Sequence, residues 1–206
     1  MAQRKIEELS EMEFDVLKEI SNIGTGNAAT AISKMLDGQI GIEVPIIKFL
    51  NFSELGEIIG GAENEVIGIL VTLQDDIDGM MMFVMDTRSA SVVVNHLLQK
   101  DEEEAITECS EMVKSALAEF GNIIAGSYLS AISKLTGLKC SPSVPALSHD
   151  MAGAVLSVPA IEFGKVSNKV LLIQSVFNYN NKKAEGFFIL VPTLQAFNTI
   201  FDKLGL

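Results

Sequence analysis

Positive charge is what this sequence is short of. Fifteen Lys and Arg stand against 27 Asp and Glu, a net charge of −12. Phosphate backbones are bound by clustered Lys and Arg that displace counterions, and anionic membrane surfaces by polybasic segments. Neither nucleic acid nor a membrane is therefore expected as a partner. Cysteine is equally sparse. Cys109 and Cys140 have no C-x-x-C spacing, which excludes a disulfide framework and a zinc site and leaves two free thiols. The two histidines, His96 and His149, sit in dissimilar contexts without metal-ligand spacing. No apolar run approaches the roughly 20 residues that span a bilayer. The N-terminus, MAQRKIEELSEMEF, lacks the apolar centre of a signal peptide. A soluble, cytoplasmic protein is expected. A P-loop is missing, and so is a nucleophile placed beside a base.

What the chain does have is a repeat. Asn22-IGTGNAATAISKMLDGQIGIEV-Pro45 returns as Asn122-IIAGSYLSAISKLTGLKCSPSV-Pro145, one hundred residues on. Ala31-Ile32-Ser33-Lys34 comes back as Ala131-Ile132-Ser133-Lys134, and Val44-Pro45 as Val144-Pro145. Glu19 and Glu119 precede the two copies at the same distance, as do Asp15 and Ser115. A repeat held in step over this length means one supersecondary unit used twice. With 206 residues, 48% of them apolar, the chain can bury a sizeable shared core.

Both halves follow one order. From Glu11, apolar residues recur near the 3.6-residue period through Phe14, Leu17, Ile20 and Ile23, and the stripe continues through Ala28, Ala31, Ile32 and Met35 to a stop at Asp37-Gly38. Gly24 and Gly26 interrupt it, as a close approach of another backbone or a local bend would require. Residues 39–50 read as a strand whose Pro45 marks an edge, a bulge or a strand end, and 52–59 as a short helix capped by Ser53. Residues 65–73 and 79–85 form a hairpin around an acidic turn, and 87–99 a helix. A charged connector, 100–104, separates the halves. The second half replays this with a helix at 106–135, a strand at 138–144, a weak helix at 149–155, a hairpin of 169–177 with 186–191, and a helix at 193–204. The segments Gly79 to Thr87 and Gly186 to Thr193 occupy matching places. The expectation is a single α+β domain over 1–206, with pseudo-repeats at about 11–99 and 106–206. A pseudo-two-fold relates them, and they share one mostly antiparallel sheet packed with long helices.

The chemistry lies in a polar pair on each long helix. Asp15, Glu19 and Asn22 are spaced i, i+4, i+7 and share one helix face, as do Ser115, Glu119 and Asn122. Interior Asn is a mediocre helix former and needs a reason. A carboxamide is a poor base, but it can donate to one group while accepting from a water, which suits positioning a water for in-line attack on phosphorus. A carboxylate one turn away can bind a partner's cation. The pair makes sense if another protein supplies the rest of the active site, any metal included.

The pattern [Asp/Ser]-x-x-x-Glu-x-x-Asn, followed some twenty residues later by Pro and present twice, resembles the CheC/CheX/FliY phosphatases of bacterial chemotaxis. Two copies, the length and the absence of appended segments make the CheC type the nearest match. The resemblance implies hydrolysis of the aspartyl phosphate on the response regulator CheY. Glu19 and Glu119 would engage a lysine of the regulator, and Asn22 and Asn122 would orient the attacking water. Mg²⁺ would be held by the regulator, with no cofactor in this chain. Asp15 and Ser115 would support the helix face, and Pro45 and Pro145 would shape the following strand. The receptor deamidase CheD is implied as a second partner. Two other readings stay open: a non-catalytic flagellar-switch or adaptor module that binds the regulator, and, more weakly, a small-molecule binding domain built on the hairpin sheet.

Overall fold

The computed structural model describes residues 9–35, 41–43, 46–100, 106, 109–163, 169–179 and 182–206. The elements run α1 (Glu11–Met35), β1 (Gly41–Ile42), β2 (Ile46–Asn51), α2 (Phe52–Ile58), β3 (Glu65–Asp75), β4 (Gly79–Asp86), α3 (Thr87–Leu97), then α4 (Glu111–Thr136), β5 (Cys140–Pro142), β6 (Ala146–Met151), α5 (Ala152–Phe163), β7 (Lys169–Tyr179), β8 (Lys182–Pro192) and α6 (Leu194–Lys203). Helix, two short strands, helix, hairpin, helix occurs twice, in the α+β arrangement that the repeat implied. Pro45, the stop at Asp37-Gly38 and most of the 100–104 connector lie outside the described residues.

Local chemistry fixes the helix starts in pairs. Ser10 and Glu13 cap α1 reciprocally: the Ser10 N–H and hydroxyl donate to the Glu13 carboxylate at 2.8 Å, and the Glu13 N–H donates to the serine oxygen at 3.2 Å. One hundred residues on, the Ser110 hydroxyl accepts from the Val113 N–H and starts α4. Asp86 and Thr193 cap α3 and α6 in the same way. Helix α4 thus begins at Glu111, later than the expected 106. The Ile106 N–H donates instead to the Ser91 hydroxyl at 2.9 Å and ties the lead-in to α3. Ahead of α2 the cap is Asn51 and not Ser53: the Glu54 carboxylate accepts from both the backbone and the side-chain N–H of Asn51, each at 2.7 Å.

The largest departure concerns residues 149–155. His149 lies in strand β6, paired opposite Ile67 of β3, and the helix begins only at Ala152 and runs to Phe163. Helix α5 is apolar on nearly all sides and contains Pro159, so no polar face existed for a period to reveal. The strand before it is held by a partner some eighty residues away in sequence.

The sheet is antiparallel throughout, in the order β1-β7-β8-β4-β3-β5, with β2 also on β7 and β6 also on β3. Each half thus sends its short strands to the edge of the other half's hairpin, and the two hairpins meet at the β4–β8 seam, where Phe83 faces Phe188. Alternate residues feed two cores. Met81, Phe83 and Met85 of β4 face the layer of α1, α3, α4 and α6; Met80, Met82 and Val84 face α2 and α5. Burial on both faces explains the unbroken apolar runs in β4 and β8. Phe83, Phe120 and Phe177 meet edge to face at 5.7–6.0 Å in the larger core. Pro145 stands in the link between the edge strands β5 and β6, where no ladder donor is lost.

Helices α1 and α4 pack on each other where Gly24 lies under the Tyr128 ring. A Cβ on Gly24 would stand 2.6 Å from Tyr128 Cδ1, and the ring cannot retreat because it stacks on Phe188 at 4.3 Å between centroids. The Tyr128 hydroxyl is satisfied at 2.9 Å from the Thr25 hydroxyl. Both cysteines are free. Burial pushes both thiols up, Cys140 to about 11, so neither is a thiolate at neutral pH. Among the described residues no helix is long and apolar enough to cross a membrane. The crossing makes a direct prediction: Gly24→Ala, normally a stabilising change in a helix, destabilises this protein by about 1–3 kcal/mol through overpacking, measured as a lower urea midpoint with an unchanged slope.

Candidate functional site

The inward faces of α1 and α4 are set by the core. Leu17, Ile20, Ala28 and Ile32 are buried on α1; Leu117, Phe120, Ile124 and Ile132 are buried on α4. At 3.6 residues per turn the opposite face of α1 carries residues 12, 15, 19, 22 and 26, and that of α4 carries the same positions plus one hundred. Asp15, Glu19 and Asn22 are exposed, and so are Ser115, Glu119 and Asn122. The structure therefore places both predicted sets on outward faces, each on its own helix.

What these side chains lack is as informative as where they sit. Among the described residues, Glu19, Asn22, Glu119 and Asn122 make no intramolecular hydrogen bond or ion pair. Two carboxylates and two carboxamides are thus presented free to solvent in matching positions. Their surroundings differ slightly. Asp15 holds Lys18 at 2.9 Å, and the Lys18 ammonium also lies 4.5 Å above the Phe14 ring centroid. Ser115 makes no such pair, and on α4 it is Lys114 that binds Glu111, at 2.9 Å. The flanking cation is thus paired to the motif's own first residue on α1 and to Glu111 on α4.

Sequence reading passed over one apolar feature. Met12 and Met112 stand at the start of the two faces, 64% and 65% exposed, three residues before Asp15 and Ser115. The signal was present, an identical residue at the hundred-residue offset on the motif's own face, but a methionine in a 3.6-residue pattern reads first as core. Sequence reading also left His149 isolated. In the fold its Nδ1 lies 3.7 Å from Cys109 Sγ, and its Nε2 approaches the Glu65 carboxylate at 3.1 Å without the alignment of a hydrogen bond. The raised thiol makes this trio a poor nucleophile.

Both motif sets lie on exposed helix faces. Two small cavities in the larger core, lined mainly by apolar side chains such as Leu17, Ile132, Ile173 and Phe188, include none of the four motif residues. Among the described residues no group of three or more His, Cys, Asp or Glu is arranged to hold a metal ion. An exposed Glu and Asn on one helix face can bind a cation and orient a water.

Fold and site together define a duplicated α+β protein that displays the same two-residue polar motif on two outward helix faces. The CheC-like family model matches residues 12–48 and 112–149, the two segments that carry these motifs. The chain is 35% identical over 96% of its own length, and 96% of the relative's, to the CheY-P phosphatase CheC of Bacillus subtilis. Its fold is similar to that of FliY from Thermotoga maritima, with a TM-score of 0.75 at 21% identity, covering 96% of this chain and 98% of that one. It is also similar to FliM of H. pylori in a complex with SpeE, with a TM-score of 0.71 at 12% identity, covering 96% and 97%. The chain belongs to the CheC-like family.

Because the four motif side chains are exposed and make no hydrogen bond or ion pair among the described residues, removing them should cost the fold little. Asn22→Ala with Asn122→Ala, and Glu19→Gln with Glu119→Gln, are expected to stay within about 0.5 kcal/mol of the parent per substitution, the usual range for exposed sites, in equilibrium urea unfolding.

Proposed function

We propose that the protein is a phosphatase that hydrolyses the aspartyl phosphate of the phosphorylated response regulator CheY, and that each helix face is a separate active site. The observation that carries this reading is the double presentation of an exposed Glu and Asn, without a partner among the described residues, in a chain that aligns over nearly its whole length with a CheY-P phosphatase.

On docking, the Glu19 or Glu119 carboxylate accepts a charge-assisted hydrogen bond from a lysine of the regulator. Such bonds contribute about 1.5–3 kcal/mol. The Asn22 or Asn122 carboxamide enters the regulator's site and aligns a water opposite the leaving aspartyl oxygen. The water oxygen bonds to phosphorus as the phosphorus–aspartyl oxygen bond breaks; the aspartate carboxylate is restored and inorganic phosphate departs. Any Mg²⁺ would be held by the regulator and not by this chain, and would supply charge neutralisation at the phosphoryl oxygens. Phosphoryl transfer through a loose transition state needs positioning and electrostatics more than covalent help, so a carboxamide with no useful basicity is sufficient. Asp15 and Ser115 support the two faces at their first turn, and Met12 and Met112 give each an apolar contact beside the polar pair.

Phosphate release from phosphorylated CheY distinguishes this reading from a purely binding role. Asn22→Ala with Asn122→Ala is expected to abolish stimulated release, while either single variant keeps part of it; full activity in the double variant defeats the proposal, and singles as inactive as the double mean one composite site. The two residue types should also separate kinetically. With the first site removed by Glu19→Gln and Asn22→Ala together, Glu119→Gln weakens association with a phosphorylation-mimicking regulator, most at low salt, where the parent's charge pair is least screened. Asn122→Ala lowers turnover at saturating regulator with affinity nearly kept, because its contact is made in the transition state. The opposite pattern reverses the two roles.

A further inference from the structure

Helices α1 and α4 contain four glycines between them: Gly24, Gly26, Gly121 and Gly126. Glycine inside a helix is less stable than alanine because it gives up more backbone freedom, so each needs a cause. Two have one within the chain. A Cβ on Gly24 would strike the Tyr128 ring, and a Cβ on Gly121 would stand 2.4 Å from Ile69 Cγ2. These two answer to local packing and are not repeated: their counterparts are Ile124 and Ser21.

Gly26 and Gly126 are the opposite case. They occupy the same position in both copies, four residues after Asn22 and Asn122. A Cβ at either would meet no atom within 4 Å. Neither takes up a left-handed conformation. The Thr30 hydroxyl donates to the Gly26 carbonyl at 2.9 Å, a contact that alanine would keep. Nothing described within the chain asks for glycine at these places, yet both helices forgo the more stable residue there, on the face that carries the motif.

We propose that Gly26 and Gly126 are clearance positions: bare helix backbone against which the partner's main chain, beside its phosphoaspartate, lies in van der Waals contact. This rests on the phosphatase reading above. Four residues on, the glycine Cα lies roughly 6 Å along the axis from the Asn and about 40° around the helix, on the same side. Asn has a short side chain, so its carboxamide reaches into a recessed site only if the helix backbone itself comes up to the rim. A methyl group at the next turn would hold that rim off by about a bond length, and a misplacement of about 1 Å can cost on the order of a hundredfold in rate. Gly26 and Gly126 are positioning residues; the water is still aligned by Asn.

The test compares Gly26→Ala with Gly126→Ala, the corresponding double leucine variant, and the double Asn→Ala variant, all in the full chain, by urea unfolding and by phosphate release from phosphorylated CheY. The alanine variant is expected to be at least as stable as the parent while its rate at saturating CheY falls roughly tenfold or more, the scale of a sub-ångström to ångström displacement. The leucine variant should be slower still. A residue with a merely structural role would lose stability and activity together. Parental rates in the alanine and leucine variants, with the Asn variant inactive, overturn the clearance role and leave the phosphatase reading standing. Lower stability in the alanine variant overturns it too, by exposing a cause within the chain. Full activity in the Asn variant removes the phosphatase reading itself, and the clearance role with it.

Discussion

The exchange of edge strands between the halves governs everything else in this molecule. Strands β1 and β2, which follow α1, pair with β7 of the second half, and β5 and β6, which follow α4, pair with β3 of the first. Neither half can complete its sheet from its own residues. Separating the halves would break both edge ladders as well as the β4–β8 seam. Because each long helix is tethered to a strand on the far hairpin, α1 and α4 are drawn onto the same face of the sheet and onto each other. Their apolar stripes are consumed there, and the motif residues are left facing solvent.

At the helix crossing the two copies depart from each other, although other core positions, Leu17 with Leu117 and Ile32 with Ile132, stay identical. At the helix crossing a single large side chain is accommodated: Tyr128 fits over Gly24, stacks on Phe188 and shares a hydrogen bond with Thr25. Burial pushes its hydroxyl up, so it stays a neutral phenol. A second tyrosine at position 28, where Ala28 stands, would compete for the same volume. Core positions of related halves must fit around one another and so cannot all be identical. The outward positions are under no such constraint from the fold, and there Met, Glu, Asn and Gly recur at the hundred-residue offset.

A site on an exposed helix face presents its groups without enclosing them. The exposed carboxylates and carboxamides are solvated and have no hydrogen-bond partner among the described residues. Such a surface can be complementary only to something recessed. The division of labour in the proposed reaction follows from this: the partner contributes the phosphoryl group, its metal and the enclosure, and this chain contributes a cation anchor and an oriented amide. FliM shows that the same fold occurs at 12% identity, and fold alone does not fix function.

The sequence by itself determined the repeat, the long helices, the first hairpin and the shared face of Glu19 with Asn22 and of Glu119 with Asn122. All of these follow from local periodicity or from spacing along one helix. The cap at Asn51, the start of α4 at Glu111 and the strand through His149 were not legible in that way. Each depends on which of several nearby polar groups finds a partner, or on a ladder to a distant strand. Tertiary structure alone decided which glycine served which end. Gly24 and Gly26 are two residues apart and look alike in the sequence, but one lies under a tyrosine from the other half and the other faces open space. The identity of a residue records that a side chain is absent. What fills the room it leaves depends on contacts between segments about a hundred residues apart, which no local pattern encodes.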